Sequence, residues 1–321
     1  MKVGVVGVGK LGGTLAFALA RESIFGELVL CDAVTDLAKA QADDIRHGLG
    51  ESLRTQVQAG SLADLGDAAI VIIAAGQGRK PGMTRLDLLH ANAGVIASLA
   101  REIGRVAPGA SLVILTNPVD VLTAVAQRSS GLDRHRVVGS GALLDSMRFR
   151  DILAERFRVA RSEVNAAVLG EHGDRLVAVF SRAQIRDLPV DLTPDGKVEI
   201  LNALRAAAER ILESKGGTVF GPAGCTVALV KALVSPTPSR LPVSLVLDGE
   251  YMVRGIALGV PAILGQGRVL GVEEWPLSPD ERALFDLAAK ALGPFVAQAL
   301  GALGSAIDAS TMSKPAAFPG S

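Results

Sequence analysis

The run Val3-Gly4-Val5-Val6-Gly7-Val8-Gly9-Lys10-Leu11-Gly12 constrains the fold more than any other stretch of the chain. An apolar, strand-like segment passes directly into G-x-G-x-x-G, and a helix-period segment opens at residue 11. In that setting each glycine has a steric task. Gly7 makes a tight turn, Gly9 allows close backbone approach to a pyrophosphate, and Gly12 allows the helix to pack closely on the strand. The helix N-terminus then offers free N–H groups and a positive dipole end to the phosphates. Asp32 stands twenty residues beyond Gly12, at the end of a second apolar run. A carboxylate there hydrogen-bonds both ribose hydroxyls of an adenosine and repels a 2′-phosphate, so the cofactor predicted is NAD rather than NADP.

Up to about residue 140, short β-branched runs alternate with longer helix-period segments, the pattern of βαβ units around a parallel sheet. Strands are predicted at 2–8, 27–32, 55–59, 68–75, 111–116 and 136–138, and helices at 11–22, 36–47, 85–106 and 119–129. The strands are apolar almost throughout, as expected where both faces of a sheet are covered. Beyond residue 141 the alternation loosens into amphipathic stretches at 145–157, 197–215, 218–233 and 279–303. The fold class predicted is therefore α/β: a Rossmann doubly wound parallel sheet over 1–140, followed by an α+β catalytic domain over 141–304. Residues 305–321, rich in Ala, Ser, Gly and Pro, are expected to form a disordered tail.

Lys and Arg together number 33, as do Asp and Glu, so there is no basic excess to attract a nucleic acid. Purely apolar runs such as 68–75 fall far short of the roughly 20 residues that span a bilayer, and no membrane partner is expected. Folded sequence begins at once, with no room for a leader peptide, so a cytoplasmic location is expected. Cys31 and Cys225, the two cysteines, have no zinc-like spacing, and both read as buried apolar residues. No metal site is predicted.

Four further segments put polar groups where a doubly wound sheet binds ligands, at the ends of apolar runs. They are Arg79-Lys80-Pro81-Gly82-Met83-Thr84-Arg85, Thr116-Asn117-Pro118, Leu144-Asp145-Ser146-Met147-Arg148 and Gly170-Glu171-His172-Gly173-Asp174. Together with the glycine loop, and in the same order over residues 1 to 303, they resemble the lactate/malate dehydrogenase family. The resemblance implies that His172 is a general acid/base, a role suited to an imidazole because its pKa lies near neutrality. It implies that Asp145 is the partner of His172 and that Arg148, three residues on, grips the substrate's C1 carboxylate through a bidentate fork. Residues 76–84 would be a lid, with Arg85 swinging in to polarise the reacting carbonyl and Asn117 and Thr218 adding substrate contacts. Cofactor contacts extend by resemblance to Lys10, Leu11, Ala75, Gly76, Asn92, Thr116 and Asn117. A homodimer or homotetramer is implied in the same way.

Within the family, one lid position carries glutamine in lactate enzymes and arginine in malate enzymes, and here it is Arg79. Arginine is a bidentate partner for the second carboxylate of oxaloacetate, whereas the methyl group of pyruvate would leave a buried cation unpaired. Phe220-Gly221-Pro222-Ala223 also resembles the malate version of the nicotinamide wall, while Thr218 follows the lactate pattern. The activity expected is hydride transfer between malate and oxaloacetate in the tricarboxylic acid cycle, the alternative being an L-lactate or other 2-hydroxy acid dehydrogenase. Sugar-bisphosphate regulation is not expected, because Arg150 is present at one of its two family positions and Asn165 occupies the other.

Overall fold

In a computed structural model of the chain, residues 1–78 and 83–312 are described. The first half alternates strand and helix as predicted: β1 Lys2–Val6, α1 Lys10–Glu22, β2 Glu27–Cys31, α2 Thr35–Leu49, β3 Gln56–Ala59, β4 Ala68–Ile73, α3 Arg85–Val106, β5 Ser111–Ile114, α4 Val119–Ser130 and β6 Val137–Gly139. All pairings among these six strands are parallel, in the order β3-β2-β1-β4-β5-β6. The order reverses at β1, so the crevice between the carboxyl ends of β1 and β4 is where such a sheet binds a ligand. Several strands stop one or two residues before the predicted ends. The apolar residues beyond those ends, such as Val8 and Ala75, have left the ladder to form the turns that line the crevice.

The second half contains α5 Gly141–Phe157, β7 Val164–Asn165, β8 Val168–Gly170, β9 Leu176–Ala178, β10 Gln184–Ile185, β11 Leu188–Pro189, α6 Pro194–Lys215, α7 Phe220–Val234, β12 Ser239–Asp248, β13 Arg254–Gly265, β14 Arg268–Val272 and α8 Pro279–Met312. It shares a sheet with the first half. Strand β12 adds antiparallel to β6, with Ser244 opposite Gly139, and β13, β8 and β9 extend the same surface. Strands β7, β10 and β11 make a separate three-stranded sheet. One continuous core therefore underlies both halves, and a smaller cluster around Phe149, Leu153 and Leu204 sits beneath α5 and α6.

Helix α8 runs on to Met312, into the stretch expected to be a tail. Residues 313–321 lie outside the described residues. Among the described helices, the stretch Pro279–Leu303 is long and apolar enough to cross a membrane. Phe285, Ala288, Leu292 and Val296 on it are buried in the core against α3, α4 and β13, while Leu284 and Leu287 are exposed.

Candidate active site

At the β1–α1 turn, Gly7 has a φ of +88°, a backbone conformation that favours glycine, and its N–H donates to the Cys31 carbonyl at 2.8 Å. A Cβ on Gly7 would lie 2.4 Å from the Ala75 nitrogen, and one on Gly12 would lie 1.9 Å from the Gly7 oxygen. A Cβ on Gly9 would meet nothing within 4 Å. The outer two glycines thus serve packing, and the middle one leaves open space at the helix start. Gly9 caps α1 without a side-chain hydrogen bond, and the first turn holds no acidic residue, so no side chain of this turn competes for its N–H groups.

Asp32 follows β2. One of its oxygens accepts the Val8 N–H at 2.8 Å and the other accepts the Val34 N–H at 3.0 Å, which holds the carboxylate beside the glycine turn. Each oxygen keeps a second lone pair for a hydroxyl donor. Lys10 is the first residue of α1 and is exposed, whereas Leu11 is half-buried against the core. Across the crevice, Gly76 has a φ of +142° and packs on Thr116, whose hydroxyl donates to the Ala75 carbonyl at 2.6 Å. Asn117 accepts the Val119 N–H on its side-chain oxygen at 3.3 Å.

Asn92, expected to contact the cofactor, bonds to both crevice loops. It is fully buried, and its amide donates to the Gln77 and Asn117 carbonyls at 3.0 and 2.9 Å while accepting the Gln77 N–H at 2.7 Å. With both of its N–H donors committed to backbone, it ties the two crevice loops together.

His172 lies just past β8, flanked by Gly170 and Gly173, which have φ values of +80° and +149°. Its Nδ1 is 2.6 Å from one oxygen of Asp145, and the other oxygen accepts from Arg148 at 3.0 Å. One turn of α5 thus brings the three predicted residues together, with Asp145 shared between an imidazole and a guanidinium. The approach is close enough that a Cβ on Gly141, the first residue of α5, would fall 2.5 Å from the His172 Cβ. Burial of His172 lowers its pKa, but the charge and hydrogen bond of Asp145, helped by Asp120, outweigh that effect and leave it above the ordinary value of 6.5.

Two residues of this site escaped the reading of the sequence. The Asp120 carboxylate, buried in the first turn of α4, accepts the His172 N–H at 2.7 Å on one oxygen and the Ser244 hydroxyl at 2.6 Å on the other. Burial, partly offset by these hydrogen bonds, pushes its pKa up to about 6. A carboxylate inside the apolar run Val119-Asp120-Val121-Leu122 was the available signal.

Arg148 and Thr218 line a cavity of about 520 Å³ whose walls include Leu144, Met147 and Phe220. Phe220 is largely exposed, with the Lys215 ammonium 3.8 Å from its ring centre. Arg79 lies outside the described residues, and so does the Arg85 side chain, although the Arg85 backbone begins α3 behind a Thr84 cap. Arg150 donates to the Ala166 carbonyl at 2.7 Å. Cys31 and Cys225 are buried free thiols, each pushed up to about 12 by burial.

Residues 1–139 match the family described as lactate/malate dehydrogenase, NAD binding domain, and residues 142–300 match lactate/malate dehydrogenase, alpha/beta C-terminal domain. Over 301 residues the chain is 41% identical to L-lactate dehydrogenase of Thermus aquaticus, a match covering 91% of this chain and 97% of that one. The structure of a Cryptosporidium parvum lactate dehydrogenase complexed with lactic acid and NAD aligns with a TM-score of 0.88 at 29% identity, covering 93% of this chain and 97% of that one. A malate dehydrogenase of the same organism aligns with a TM-score of 0.89, also at 29% identity, covering 94% and 99%. The fold therefore does not separate the two substrates.

Among the curated relatives, those at 37% and 41% identity carry the name L-lactate dehydrogenase. This overturns the expectation of a malate dehydrogenase. That expectation rested chiefly on one lid side chain, Arg79, and assumed that its charge is buried against the substrate. The chain belongs to the lactate/malate dehydrogenase family and is an NAD-dependent oxidoreductase.

Proposed function

We propose that the protein is an L-lactate dehydrogenase that interconverts a small 2-hydroxy monocarboxylic acid and its 2-keto acid. The observation that supports a 2-hydroxy acid dehydrogenase is the shared Asp145 carboxylate, which sets an acid/base beside a carboxylate-binding arginine; the choice of lactate follows the relatives at 37% and 41% identity. Gly7, Gly9, Gly12 and Asp32 would hold NAD, which when bound supplies the hydride acceptor for the hydroxy acid. Asp145 accepts a hydrogen bond from Nδ1 of His172, leaving Nε2 free to take the substrate hydroxyl proton and to return it in the reverse direction. One Arg148 N–H is engaged by Asp145, and the guanidinium keeps further donors for the substrate C1 carboxylate. Arg85, Asn117 and Thr218 complete the substrate contacts in this reading. Val34 and Leu37 near the start of α2 and Phe157 at the end of α5 expose apolar surface, which supports a homo-oligomer.

The test is NADH oxidation by purified protein with pyruvate, oxaloacetate and longer 2-keto monocarboxylic acids in parallel, and NADPH as control. A kcat/KM for pyruvate at least about tenfold above that for oxaloacetate is expected, a difference of roughly 1.4 kcal/mol in transition-state binding. A preference for oxaloacetate would overturn the substrate assignment, and no turnover of any keto acid would overturn the activity.

A further inference from the structure

Asp120 has no counterpart in the reaction scheme above, yet it is among the most costly residues in the molecule to bury. It is 3% exposed, and its two hydrogen bonds come from neutral donors, the backbone N–H of His172 and the hydroxyl of Ser244. These partners come from distant parts of the chain. Asp120 opens α4, Ser244 lies in the middle of β12 opposite Gly139 of β6, and His172 follows β8. Burying a carboxylate against neutral donors is expensive unless a cation faces it. The neighbouring group that becomes a cation is the His172 imidazole, whose Nδ1 Asp145 holds. The neighbouring Glu171 carboxylate opposes ionisation of Asp120, and the N-terminal end of α4 favours it. Arg148, bound to the far oxygen of Asp145, opposes protonation of His172.

We infer that Asp120, braced by Ser244, is a positioning residue for proton transfer: its carboxylate fixes the backbone of His172 and its negative charge favours the imidazolium form. This rests on the proposed role of His172. Two carboxylates then serve one histidine, Asp145 acting on the ring and Asp120 on the main chain and through space.

The charge can be removed without removing the hydrogen bonds. In Asp120→Asn the carboxamide oxygen still accepts the His172 N–H, and the amide N–H can donate to the Ser244 hydroxyl oxygen, because that oxygen is also an acceptor. With the charge gone, His172 gives up its proton at lower pH. Reduction of the keto acid needs the imidazolium and oxidation of the hydroxy acid needs the neutral ring, so the two directions respond oppositely. In Asp120→Asn the loss of kcat/KM for keto-acid reduction should grow with pH, reaching about tenfold on the alkaline side. The acid limb of hydroxy-acid oxidation should move to lower pH, extending activity there. A purely structural role would instead scale both directions down equally at every pH.

The experiment is the pair of pH profiles for wild type and Asp120→Asn, together with the His172 imidazole titration followed by NMR and assigned by its absence in His172→Asn. A lower midpoint in Asp120→Asn with the opposed shifts in the two profiles supports the inference. An unmoved midpoint, or a loss independent of pH, overturns it. If Asp120→Asn does not fold, Ser244→Ala takes its place: losing one stabilising hydrogen bond makes the Asp120 charge easier to neutralise, so the midpoint should again fall, and an unchanged midpoint overturns the inference. The titration needs no turnover, so absence of dehydrogenase activity would sink the proposed function while still leaving this coupling measurable.

Discussion

Around the β1–α1 turn the molecule makes room by omitting atoms, with no Cβ at Gly7 or Gly12 where one would strike Ala75 or the Gly7 carbonyl. Around His172 it adds groups, bringing carboxylates from α4 and α5 onto one histidine loop. The cofactor crevice is thus shaped mainly by backbone, although it too joins distant segments, as where Thr116 donates to the Ala75 carbonyl. The proton-transfer site is built from side chains on segments 27 to 124 residues apart. The first kind of site is readable from spacing, because its glycines fall in one short motif ahead of a helix and its carboxylate follows at a fixed interval. The second is readable only in part, because its partners meet through the sheet. The comparison also implies that damage should be separable: backbone defects in the crevice should cost folding or cofactor affinity, whereas side-chain defects at the loop should cost turnover.

Gly12→Ala should be the harshest change to the crevice. Its Cβ would meet a backbone oxygen that cannot step aside, so a loss of about 3 kcal/mol in unfolding free energy is expected from denaturant titration. An unaltered midpoint would show that the α1–β1 packing is looser than the close approach implies. On the other side, Arg148→Lys keeps the charge but loses the planar fork, and kcat/KM for the keto acid should fall roughly 100-fold, about 2.7 kcal/mol, while NADH affinity holds. Parallel loss of NADH affinity would blur the boundary between the two sites. Gly9→Ala sharpens the contrast with Gly12→Ala. Its Cβ enters open space, so thermal stability should hold while NADH binding, followed by fluorescence, weakens about tenfold, or 1.4 kcal/mol.

The smallest effect concerns stability against pH. Because the folded pKa of His172 is raised above 6.5, its contribution to stability is fully present below pH 6.5 and disappears as pH rises through the folded value. The melting-temperature advantage of wild type over His172→Asn should therefore shrink on going from pH 6 to pH 9. An advantage that grew with pH would mean that Asp145 and Asp120 do not stabilise the imidazolium.

Much of the fold was legible because local patterns decide it. Helix α3 matched its predicted span, and Gly7, Gly9, Gly12 and Asp32 meet at one turn as their spacing implied. Asp145, Arg148 and His172 also meet, two of them through the i,i+3 geometry of α5. What stayed hidden depends on non-local pairing. The register that sets Ser244 opposite Gly139, and so places a hydroxyl beside Asp120, joins strands about a hundred residues apart. The bridge that Asn92 makes between the Gln77 and Asn117 carbonyls was also hidden, because it depends on where two separate loops meet. Arg79 misled for a different reason: one charge was weighed against similarity spread over the whole chain.

The most direct test of the separation between cofactor crevice and proton-transfer site is to measure NADH affinity and pyruvate turnover side by side in His172→Asn. The expected result is an NADH Kd within about twofold of wild type with kcat for pyruvate reduction lowered about 1,000-fold, within the range ascribed to a general acid. Loss of NADH binding in step with kcat, or turnover that persists without the imidazole, would contradict it.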